Sequence, residues 1–230
     1  ASPSCRSFDS MRFAALPSSG LEIEDVAVAW RTANGRTRGA PPLSHPDAEP
    51  VLVSGAAASE TTVKLGAPGR RVVHLATHGF FLGNCKSPPG NEAARQPGSA
   101  KVFADNPLLL SGLALAGANL RGDAGPGVDD GILTAEEIAA LDLSGVDWAV
   151  LSACETGVGE SRSGEGLFGL RRAFQIAGAR ALILSLWAVE DEASHNWMKE
   201  LYRNRLSRGM TTARAVHEAS RETLLMRRAA

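Results

Sequence analysis

WAVLSACETGVGESRSGEGLFGLRRAFQIAGARALILSLW, residues 148–187, decides the fold. It opens on the apolar run WAVLSA (148–153) and closes on another, ALILSLW (181–187), and each reads as a buried strand. Between them Leu167, Leu170, Phe174 and Ala177 recur every three or four positions, and Gly178 stands where a helix C-terminal glycine belongs. Strand, helix, strand is a βαβ unit, which implies parallel pairing through a right-handed crossover.

Working outward, RRVVHLATHG (71–79) predicts another strand, β-branched at Val72 and Val73 and stopped by Gly79, so that His78 closes it. VLVSG (51–55) reads as a strand running into a turn. LLLSGLALAG (108–117) reads as a buried strand, with a helix left open by Gly112 and the alanines. In GILTAEEIAAL, Thr134 and Glu137 form a capping box with Leu133 and Ile138 as its hydrophobic staple. Ser19 and Glu22 show the same capping pattern ahead of a short helix ending near Trp30, and Asp191 and Thr211 each open an amphipathic helix near the C-terminus. Residues 34–50 are crowded with Gly and Pro and read as a surface connection, and 84–105 as a long loop of the kind that carries function or is disordered. The expected fold class is α/β, a three-layer arrangement with a mostly parallel central sheet flanked by helices. One domain over residues 1–230 is expected, with 1–12 as a linker, the whole being the C-terminal part of a longer chain.

Composition narrows the function. Of 230 residues, 44% are hydrophobic and 21% charged, the profile of a globular protein with a sizeable core. A net charge of -1 offers no electrostatic footprint for direct nucleic-acid binding or for an anionic membrane surface. No apolar run reaches the roughly 20 residues that span a bilayer. Three cysteines, Cys5, Cys85 and Cys154, lack C-x-x-C spacing, which fits free thiols in a reducing cytoplasm better than a disulfide framework or a zinc site.

Ligands of open α/β sheets bind at the carboxyl ends of the strands. His78 and Cys154 both fall there, 76 positions apart (154 − 78), so only the fold can unite them. An imidazole can take a thiol's proton and later protonate a leaving amine, and the small residues after Cys154 let backbone N–H groups approach a developing oxyanion. On residue type alone, an isolated Cys and His are more often a small buried hydrophobe and a satisfied histidine. Other sites fare worse. His74 and His78, if on one strand, stand roughly 13 Å apart at about 3.3 Å per residue, too far to share a metal ion. The loop from Gly159 to Glu165 places a carboxylate where a phosphate-binding loop needs a Lys. Asp129, Asp130, Glu136 and Glu137 lack the alternating spacing of a calcium loop and read as a turn and a helix start. No cofactor is expected.

The segments LPSSGLEIEDV, HLATHGFF, LSACETGVGE and GEGLFGLRRAFQIAGARALILSLWAVEDEAS, in this order, resemble the CHAT domain, a bacterial caspase-like family related to separases and clan CD cysteine peptidases. The resemblance runs from about Phe13 to the C-terminal helices. It implies a caspase-haemoglobinase fold and a cysteine endopeptidase with a Cys-His dyad: His78, of the His78-Gly79 pair, as base and then acid, and Cys154 as nucleophile. The backbone N–H groups of Gly79 and Cys154 would hold the oxyanion. It also implies a substrate pocket around Ser185, Trp187, Glu190 and Asp191, with Asp191 suited to an Arg or Lys side chain but equally placed as a helix cap. Glu155 is a second acidic pocket candidate. The implied partners are a protein substrate and an activating protein or nucleic-acid-sensing complex, often reached through tetratricopeptide repeats. A non-catalytic signalling or scaffold module is the alternative.

Overall fold

The computed structural model describes residues 11–35, 49–81, 108–125, 128–152, 165–185 and 189–229. Its strands are β1 (Val72–Ala76), β2 (His78–Phe81), β3 (Ser111–Ala114), β4 (Ile132–Thr134), β5 (Trp148–Ser152) and β6 (Leu182–Leu184). Its α-helices are α1 (Pro17–Gly35), α2 (Glu60–Gly66), α3 (Ala135–Ala139), α4 (Glu165–Ile176), α5 (Asp191–Tyr202) and α6 (Thr212–Ala229). The chain divides into two units, one of residues 1–14 and 55–188, the other of 15–54 and 189–230.

In the first unit the βαβ expectation holds. β5, buried at all five positions, pairs in parallel with β6 across α4. Leu170, Ala173, Phe174 and Ala177 turn inward, while Phe168, Arg171, Arg172 and Gln175 stay exposed, as the 3.6-residue period demands. Burying Leu170 and Phe174 contributes about 1.5–3 kcal/mol each. Gly178 ends the helix in the left-handed conformation (φ +100°); its N–H bonds the Gln175 carbonyl and the next N–H, of Ala179, bonds that of Phe174. This is a Schellman cap, closing a helix whose last carbonyls lack partners.

The sheet departs from the expectation. β1 pairs with β5 in parallel, giving the order β1-β5-β6, but β2, β3 and β4 form a separate antiparallel sheet. Among the described residues the α/β fold therefore has equal parallel and antiparallel parts rather than a mostly parallel sheet. The run read as one strand over 71–79 is two, broken at Thr77. The Thr77 N–H still donates to the Ser152 carbonyl of β5 at 3.2 Å, while its hydroxyl donates to the Ala114 carbonyl of β3. One residue thus belongs to both sheets, and β2 leaves along the second. VLVSG forms no strand: Val51 and Leu52 are exposed and a 3-10 turn follows at Gly55–Ala57. Among the described residues no strand pairs with it, and an apolar run alone does not make a strand.

The capping box at Thr134 is complete, with hydrogen bonds in both directions between Thr134 and Glu137, and Leu133 and Ile138 are fully buried. Glu137 also meets Lys64 of α2 at 2.9 Å, and Lys64 meets the buried Glu60 at 2.7 Å. Asp129 accepts from the N–H and hydroxyl of Thr61 at the start of α2, and Asp130 from the N–H of Ile132, so these acids serve helix and turn ends. Burial opposes charging Lys64 and Glu137, but their hydrogen bonds outweigh it: Lys64 is held above the usual lysine range by Glu60 and Glu137, and Glu137 below the usual carboxylate range by Lys64 and Thr134. The raised lysine contributes stability that is complete below about pH 10 and lost as pH rises through its folded value; the depressed glutamate contributes stability complete above about pH 5 and lost as pH falls through its own. Lys64→Met should lower stability at pH 7 by about 2–3 kcal/mol, because the Glu60 carboxylate loses its countercharge. Urea unfolding between pH 4 and 8 should also show a shallower acid-side loss in that variant.

The second unit is helical. α1 packs on α5 and α5 on α6, with a π-turn at Arg203–Ser207 between the last two. Leu201, Tyr202, Ala215 and Ala219 are fully buried, and Asp25 of α1 pairs with His195 and Lys199 of α5 at 3.0 and 2.9 Å. α1 starts at Pro17, whose missing N–H suits the first helical turn, rather than at the Ser19–Glu22 pattern; the Ser19 hydroxyl donates to the Leu16 carbonyl instead.

Candidate active site

The parallel register sets the site. Val72 faces Trp148 and Ala76 faces Ser152, an offset of 76 positions, the same as between His78 and Cys154 (154 − 78). On the other side of β5, Leu151 faces Leu184, so Ser185 continues the row of Ala76 and Ser152. The three strands therefore end at one edge with β1 and β5 neighbours, but the parallel register stops at Ala76 and Ser152, and His78 lies beyond Thr77 in the other sheet. Cys154, Glu155 and Trp187 lie outside the described residues, as do Cys5, Cys85, all of the 84–105 loop and Gly159–Gly164.

His78 opens β2 rather than closing β1, and it is buried. Its Nε2 lies 2.7 Å from the Ala14 carbonyl oxygen, and its ring packs on Phe13 with centroids 5.7 Å apart. A carbonyl only accepts, so Nε2 carries the hydrogen. In the neutral ring, Nδ1 is then the nitrogen able to take a proton. Phe13 also touches Phe80, and Met11 is buried among Phe80, Ala114, Ala118 and Ile132. The end of the stretch read as a linker is therefore part of this unit's core.

The segment 11–14 is anchored by the 3-10 turn Ala118–Asp123. Asn119 accepts from the Phe13 N–H and donates to the Phe13 carbonyl, both at 2.9 Å. The buried Arg121 donates to the Met11 and Ala118 carbonyls at 2.8 and 2.6 Å. Sequence reasoning missed Phe13, Ala14, Asn119, Arg121 and the pivot Thr77. The signal available was an apolar MRF in a polar leader, but a backbone carbonyl has no side-chain signature.

Gly79 is buried in β2, in register with Leu113. Ser185 is half-buried just past β6. Asp191 is the first residue of α5, with Glu190 preceding it as an N-cap that makes no side-chain capping bond. Its carboxylate instead accepts from the Ser18 N–H at 2.7 Å, capping α1 rather than its own helix. His74 and His78 lie on different strands, and among the described residues no three potential ligands gather into a metal site. Among them, too, no helix is long and apolar enough to cross a membrane.

The described residues thus form an α/β unit with a buried histidine, tied to a backbone carbonyl, at the junction of its two sheets. The chain belongs to the CHAT domain family, whose model matches residues 1–229. No curated protein and no solved structure matches it.

Proposed function

We propose that this protein is a cysteine endopeptidase that cleaves a protein substrate through Cys154 and His78. The observation that carries the reading is the buried His78, one residue past Thr77, with its Nε2 turned to the Ala14 carbonyl and Nδ1 left to take a proton; Thr77 itself bonds the Ser152 carbonyl at the end of the strand that precedes Cys154 in sequence. Ser152 is the last paired residue of β5, and Cys154 follows it by two positions in sequence. In the proposed mechanism His78 Nδ1 takes the Cys154 thiol proton while Nε2–H keeps its bond to the Ala14 carbonyl. The thiolate adds to the scissile carbonyl carbon, and the oxyanion is received by the backbone N–H groups proposed for it, those of Gly79 and Cys154. Collapse expels the amine, which takes the proton from His78, and leaves a Cys154 thioester. His78 then deprotonates water, which attacks the thioester and releases the acid and the thiol. Cleavage of a peptide library by the wild-type chain, lost in Cys154→Ala and His78→Gln, is the test. The caspase-haemoglobinase layering and an activating partner belong to the same proposal, supported by family membership.

For specificity the proposed pocket residues are Ser185, Trp187, Asp191 and Glu155, with Asp191 favouring Arg or Lys before the scissile bond. Because the Asp191 carboxylate caps α1, Asp191→Ala should cost about 1 kcal/mol of stability whatever its role in binding. Asp191→Asn keeps an acceptor for the Ser18 N–H and removes only the charge. Its expected result is loss of a basic preference at an unchanged melting temperature; unchanged specificity would remove Asp191 from the pocket.

A further inference from the structure

We infer that Asn119 is a positioning residue for His78, with Arg121 as its companion: together they hold the strap Met11–Ala14 so that the Ala14 carbonyl keeps the His78 hydrogen on Nε2. The catalytic meaning of this rests on the reading of His78 as the base. The chain of contacts is continuous. Asn119 grips Phe13 through both backbone groups, Arg121 grips the Met11 carbonyl, Phe13 packs on the His78 ring, and the next carbonyl, that of Ala14, accepts from Nε2. Asn119 needs both its oxygen and its amide nitrogen for this, one to accept and one to donate, which no Asp or Leu of similar size supplies.

Stability alone does not explain the arrangement. Asn119 is exposed on the 3-10 turn and fills no part of the core, so its removal disturbs little packing. What it fixes is the position of a strap whose next residue carries the carbonyl facing the imidazole. Release of the strap frees the ring to exchange its hydrogen between Nε2 and Nδ1, and a ring with the hydrogen on Nδ1 has no nitrogen there to accept the thiol proton.

The test uses the full chain labelled with nitrogen-15 at histidine, at pH 8, with the His78 signals assigned by their absence in His78→Gln. The wild-type ring should show a single tautomer, protonated at Nε2. Asn119→Ala and Arg121→Met should each show a mixture of tautomers, and Asn119→Asp, which accepts from the Phe13 N–H but no longer donates, a smaller admixture. Cleavage, where the wild type cuts, should fall roughly ten- to a hundredfold in kcat with KM little changed. Thr134→Ala, which removes the α3 cap instead, should lower the melting temperature without moving the tautomer. An unchanged His78 tautomer in Asn119→Ala, or a wild-type ring protonated at Nδ1, would overturn the inference. The two readings fail separately. A tautomer that responds in a chain that cuts nothing upholds the positioning role and removes the peptidase, whereas cleavage with an unresponsive tautomer does the reverse.

Discussion

Cys154→Ala is expected to abolish peptide cleavage, lowering kcat by on the order of 10⁴–10⁶, with the Cys154→Ala/His78→Gln double variant no worse than either single one, because residues acting as one unit are not additive. His78→Gln is the informative partner. His78 is buried against Phe13, so truncation to Ala would open a cavity and mix a packing effect with a chemical one. Gln keeps most of the volume and an N–H for the Ala14 carbonyl but has no basic nitrogen. Steady-state cleavage of a peptide library, with thermal melts to show the variants fold alike, measures the effect. Activity persisting in both single variants would sink the dyad; no cleavage by the wild type either would favour the non-catalytic module.

Gly131→Ala is expected to cause the largest loss of stability, about 4 kcal/mol or more. Gly131 adopts φ +82°, which L side chains rarely take, and a Cβ there would lie 2.0 Å from the Ala118 nitrogen and 2.5 Å from the Gly117 carbonyl carbon. Neither neighbour is a flexible side-chain end, so the backbone must move. Its N–H also donates to the buried Glu60 carboxylate at 2.8 Å, the partner of Lys64. The turn displaced is the one that carries Asn119 and Arg121. Urea unfolding should show a greatly lowered midpoint, and any folded remainder should lose the single His78 tautomer. A midpoint within experimental error of wild type would mean that Gly117 and Ala118 do not lie against Gly131.

Elements whose signal is local were legible. The α4 stripe with Gly178, the Thr134 capping box and the run WAVLSA each carry their own periodicity or capping pair, and the structure has all three. Elements whose state depends on a distant partner were not. RRVVHLATHG has strand composition throughout, and nothing in it says that Thr77 hands the chain from one sheet to another; that depends on Ser152 and Ala114, 75 and 37 positions away (152 − 77; 114 − 77). VLVSG has the same composition as a strand and lacks only a neighbour. Asp191 has the look of a cap for its own helix, yet it serves a helix that starts 174 positions earlier (191 − 17).

The same division runs through the site. By itself the sequence determined the βαβ unit, the two residues proposed as nucleophile and base, and the family, because side-chain type and short-range spacing are written in the chain. The tertiary structure alone decided that β1 and β5 are neighbours, that the chain passes at Thr77 from their sheet to the one that holds His78, and which nitrogen of His78 bears the hydrogen. Those features are made by backbone groups, the Ser152 and Ala14 carbonyls, which every residue carries and no sequence distinguishes; only the folded path selects the ones that matter.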